Sequence, residues 1–90
     1  MITKKELTAV IRTQTPFTAW ARCNQYAVEH ALKRDLTINE QTELDRGVKK
    51  SFHDFIMPNI ALYINKRGMT SVKGFAIMLS ICLESAKNTL

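Results

Sequence analysis

The chain has 90 residues, 46% of them hydrophobic and 23% charged, and 13 Lys and Arg against 8 Asp and Glu give it a formal net charge of +5. That length suits a single domain, residues 1–90, burying about 60–65% of its unfolded surface, and with two Pro and three Gly it reads neither as a disordered linker nor as a turn-rich β-sandwich. The charge excludes an acidic nucleic-acid mimic and favours an anionic partner, and two Cys without a CxxC pair exclude a cysteine zinc cluster.

The first predicted helix covers residues 4–12. Thr3 and Glu6 have the spacing of a capping box, and Ile2 and Leu7 that of a hydrophobic staple. Thr15-Pro16 opens a second helix, residues 16–34, because Thr caps well and Pro loses nothing at the first helical position. Its apolar stripe is Phe17, Trp20, Ala21, Ala27, Val28, Ala31 and Leu32, with Arg22, Gln25, Glu29 and Lys33 expected on the opposite face. Thr37 and Glu40 form a second capping box before a stripe of Leu44, Val48, Phe52, Phe55 and Ile56. Gly47 within that stripe points to a bend or a close helix contact, and Pro58 ends or kinks the helix near Met57. Ile60, Ala61, Tyr63 and Ile64 suggest a short fourth helix that leaves through Lys66-Arg67-Gly68. Thr70 or Ser71 caps a fifth, with Val72, Phe75, Ala76, Leu79, Cys82, Leu83 and Ala86 on one face.

The expected fold is therefore all-α, a compact bundle of four or five short helices. The fifth helix is apolar on its second side as well, at Ile77, Met78 and Ile81. A surface helix of a monomer keeps one wet face, so the expectation is a homo-oligomer joined through this C-terminal helix. Trp20, Phe75, Ile77, Met78 and Ile81 are the candidate residues for an oligomer or partner interface. The longest apolar run, residues 75–83, falls short of the ~20 needed to span a bilayer, and residues 1–7 lack a signal-peptide core. A cytoplasmic location with Cys23 and Cys82 as reduced, buried thiols follows, with no membrane partner.

Nothing in the motifs points to catalysis. His30 and His53 fall on different helices, the carboxylates of Glu40, Glu43 and Asp45 lie in the first turns of a helix where its dipole favours them, and neither a metal-ligand spacing nor a glycine-rich phosphate loop is present. No cofactor or metal is expected. Lys49, Lys50, Lys66, Arg67 and Lys73 are candidate contacts for an anion or nucleic acid. A helix-turn-helix centred on Gly68 puts Ile64 and Gly74 at its key buried positions, and one centred on Gly47 puts Glu43 and His53 there, so neither register fits. The expected function is regulatory binding to another protein, in the manner of small phage or mobile-element regulators such as antirepressors, an analogy of size and type. The alternative is a basic DNA- or RNA-binding regulator.

Overall fold

The computed structural model describes residues 1–63 and 72–89; within its helices the side chains at positions 55, 62, 63, 72, 73, 75, 78, 85, 86, 88 and 89 are outside the description. Helix α1 spans Lys4–Thr13, α2 Pro16–Leu32, α3 Ile38–Ser51, α4 Ile60–Tyr63 and α5 Val72–Thr89. No strand occurs among the described residues. The protein is an all-α compact bundle, as its periodicity indicates.

Local chemistry sets the starts of the helices. The Thr3 hydroxyl accepts the Glu6 N–H at 3.1 Å, capping α1. The reciprocal half of that box differs from expectation, because the Glu6 carboxylate takes the Thr3 hydroxyl rather than its backbone N–H. Thr15 caps α2 through the Thr18 N–H, with Pro16 in the first turn. At α3 the box is complete: Thr37 accepts the Glu40 N–H at 3.1 Å and Glu40 accepts the Thr37 N–H at 3.0 Å. Helix α2 ends at Leu32, two residues before the expected limit, where Lys33 turns left-handed at φ 58°.

Pro58 does interrupt the third helix, over a longer stretch than expected. A π-helical turn over Phe52–Ile56 and a 3-10 turn over Met57–Asn59 lead from α3 to α4. The proline has no N–H to offer the preceding turn, and the chain absorbs the loss by widening one turn and tightening the next. The expected exit at Lys66-Arg67-Gly68 and the cap at Thr70 or Ser71 lie outside the described residues.

The helix that the others surround is α2. It packs most extensively against α5, then against α1 and α3. Small side chains on it (Ala19, Ala21, Cys23, Ala27) let its neighbours approach closely, and with Trp20 they join Leu7 and Ile11 of α1, Val48 of α3, Ile56 and Cys82 of α5 in one core. Phe17 and Phe52 brace α2 against the end of α3 edge to face, 5.3 Å between ring centres. The radius of gyration is 12.1 Å, and a compact chain of this length should have one of about 12 Å.

Two expectations about faces are corrected by this arrangement. The polar side of α2 is interior: Gln25 and Glu29 are buried, and Arg22 is half-buried. Helix α5 in turn is not dry all round, since Ala76, Ser80, Leu83, Glu84 and Lys87 form an exposed stripe. Ile77 and Ile81, expected to face a partner, are half-buried against the chain's own core, whereas Leu83, expected inside, is exposed. With α2 at the centre, α5 is an outer layer and keeps the wet face that such a position requires.

Candidate functional site

Among the titratable groups, the buried polar chain along α2 comes first. Arg22 is ion-paired with Asp45 of α3 and donates a hydrogen bond to the side-chain amide oxygen of Gln25. The Gln25 amide donates to Glu29 at 3.2 Å, and the backbone N–H groups of Ile2 and Leu36 donate to the same carboxylate at 2.8 and 3.1 Å. Burial alone pushes the Glu29 carboxyl up, but these three donors together with the nearby N-terminal ammonium outweigh it, and its pKa lies below the ordinary value. Every oxygen of Glu29 is thus engaged in tying the N-terminus and the α2–α3 connection to α2. That is structural work, and no described polar side-chain atom in the interior lacks a partner.

The thiols are held in their unreactive form. Cys23 and Cys82 are free and fully buried; burial pushes Cys23 up to about 12, and burial with Cys23 nearby pushes Cys82 up as well. His30 is exposed and stacks on Tyr26, with ring centres 4.1 Å apart. It sits two turns from Cys23, about 10 Å along the helix axis, outside hydrogen-bonding reach. His53 is exposed beyond the end of α3. No cluster of three or more His, Cys, Asp or Glu placed to hold a metal occurs among the described residues.

Trp20 does not reach the surface. It is 2% exposed, and its indole N–H donates to the Ser51 hydroxyl at 3.0 Å, which passes its own hydrogen to the Val48 carbonyl. Its expected interface role is replaced by a role in the core, where both its rings and its one donor are satisfied. Of the other proposed interface residues, Ile77 and Ile81 face inward, and the side chains of Phe75 and Met78 lie outside the described residues. Lys49 and Lys50 are exposed on α3; Lys66, Arg67 and the Lys73 side chain lie outside the described residues.

What sequence reading missed is a groove between the second half of α2 and α3. It has a volume of about 400 Å³ and is floored by Val28, Leu32, Leu36, Leu44 and Val48. Glu40 and Glu43 stand on its rim and Gly47 lies in its α3 wall. The aliphatic side chains were legible as a stripe, but a stripe does not tell a filled interface from an open one. Glu40 is already held by Arg34 through two hydrogen bonds of 2.9 and 3.0 Å and by the Thr37 cap, while Glu43 is exposed with no ion pair among the described residues. A second hollow of about 460 Å³ runs beside α1 along Lys5, Thr8, Ala9, Arg12 and Thr13.

Comparison with protein-family models, with characterised proteins and with solved structures finds no match to this chain. Function therefore has to be read from these surfaces. No helix among the described residues is long and apolar enough to cross a membrane.

Proposed function

We propose that this protein is a small non-catalytic regulator that acts by binding another protein, and that the partner seats in the α2–α3 groove. The observation that carries the reading is Gly47. A glycine inside a helix costs about 1 kcal/mol relative to alanine, and α3 runs unbroken through it. A Cβ placed there would meet nothing within 4 Å among the described residues. No neighbouring helix among the described residues comes close enough to account for the glycine. A bare stretch of helix surface in the wall of an apolar groove is what a second chain needs in order to bring its backbone close.

The lining names the occupant's chemistry. Four aliphatic side chains in two helical rows, Val28 and Leu32 on α2 and Leu44 and Val48 on α3, with Leu36 of the connection at one end, suit an amphipathic helix with apolar anchors one turn apart. Glu43 on the rim suits a Lys or Arg at the edge of that helix, since Glu40 is already neutralised by Arg34. Glu29 is engaged in structural hydrogen bonds and Cys23 is held as a buried thiol, which favours binding over chemistry.

The test is recovery of the partner from the native host with tagged wild-type and variant chains. Gly47→Arg fills the groove wall from an exposed helical position and should leave the circular dichroism unchanged. A protein recovered in fixed ratio by wild type should be lost with Gly47→Arg and retained with Lys87→Ala on the outer face of α5. Equal recovery by Gly47→Arg would contradict the reading. If the wild type is instead a dimer and Gly47→Arg a monomer, the occupant is a second copy and the reading of a separate partner fails.

A further inference from the structure

Helix α3 carries a second surface, on the side away from its packed face. Arg46, Lys49, Lys50 and His53 follow one another at helical spacing, and all four are exposed. None of them has an ion pair among the described residues, whereas Arg22 and Arg34 do. Asp45, the carboxylate beside Arg46 in sequence, is turned inward to Arg22. Upstream on the same face stand Asn39 and Thr42, both neutral and exposed. Glu43 and Asp54 border the stripe without interrupting it.

Basic residues near the end of a helix are often explained by its dipole. That explanation is weak here, because the chain does not stop at Ser51. Phe52 keeps right-handed helical angles and the π-helical turn carries on to Ile56, so Lys49 and Lys50 lie inside a continuing run of helical backbone. From Arg46 to His53 the stripe extends about 10 Å along the axis. A single carboxylate or phosphate would engage one or two of these side chains; a continuous line of negative charges would engage them all. The stripe has no Phe, Tyr or Trp on which unpaired bases would stack.

We infer that this outer face of α3 binds the phosphate backbone of double-stranded nucleic acid, without reading its sequence. Arg46, Lys49 and Lys50 supply the charge contacts. The face is separate from the groove, so the inference stands or falls independently of the protein partner. On α1 only Lys5 and Arg12 share a face, which makes that pair the internal control.

The experiment is fluorescence anisotropy with a labelled random-sequence duplex, the matching single strand and a poly-glutamate peptide. Three phosphate contacts should weaken duplex binding about 40-fold between about 50 and about 200 mM salt. Lys49→Ala/Lys50→Ala should flatten that salt dependence to about one contact and weaken binding at least about tenfold at the lower salt. Lys5→Ala/Arg12→Ala should stay within about twofold of wild type, and duplexes of different sequence should bind alike. No duplex binding at the lower salt, equal loss in the α1 control, preference for one sequence, or binding to the single strand or the peptide as tight as to the duplex would each overturn the inference.

Discussion

Glu29→Gln should destabilise the fold by about 2–3 kcal/mol at neutral pH. The carboxylate accepts from the Ile2 N–H, the Leu36 N–H and the Gln25 amide, and hydrogen bonds to a charged group are worth about 1.5–3 kcal/mol each. Two of the donors are only part-buried, so water replaces some of what is lost and the low end applies to them. The glutamine keeps one acceptor and turns an NH₂ toward a donor, which removes one or two of the three bonds. A domain of this size loses about 4–8 °C of Tm per kcal/mol, so the midpoint should fall by roughly 10–20 °C. The pH dependence gives the sharper check. The folded pKa of Glu29 is lowered, so its contribution is complete above the unfolded value of about 4.3 and is lost as pH falls through and below it toward the folded value. Urea unfolding at neutral pH and in acid should therefore show a gap between wild type and Glu29→Gln that closes in acid. A variant within about 0.5 kcal/mol of wild type at neutral pH, outside the range for losing even one such bond, or a gap that persists in acid, would refute the assigned role.

Three further outcomes follow from the same packing. Gly47→Ala should stabilise the protein by about 1 kcal/mol, read as a higher urea midpoint, because the methyl meets open space and the helix gains propensity. Trp20→Phe should cost about 2 kcal/mol in urea unfolding, from the lost Ser51 bond and the void left by the smaller ring. Cys23 and Cys82 should resist alkylation in the folded protein and each take one label in denaturant without reductant, since both are free, buried and held as thiols.

The helix starts were legible because their signals are local. Thr3, Thr15-Pro16 and Thr37-Glu40 act within one turn, and all three cap helices where their spacing indicates. The buried polar chain was not legible, because its partners are remote. Ile2 is 27 positions from Glu29, and Asp45 is 23 from Arg22. Gln25 and Glu29 read as a solvent face until α1 and α3 close over them. The inward face of α5 was legible only in part: Leu79 and Cys82, read on the packed face, do pack on the core, but with apolar residues on both sides the pattern also turned Ile77 and Ile81 outward and Leu83 inward, and the contact with α2 reverses these three. Lys49 and Lys50 stood out as a pair, but the stripe appears only when Arg46 and His53 are placed at helical period beside them. The groove depends on empty space, which no one-dimensional pattern records.

Whether a separate protein seats between α2 and α3 can be seen directly by amide chemical-shift mapping of the labelled chain with its co-purified partner. The largest shifts should fall on Val28, Leu32, Leu36, Leu44, Gly47 and Val48, and a partner helix carrying Glu in place of its edge Lys or Arg should move them less. Shifts concentrated instead on Ala76, Ser80 and Leu83 of α5, or on the exposed side of α1, would contradict the proposed binding surface.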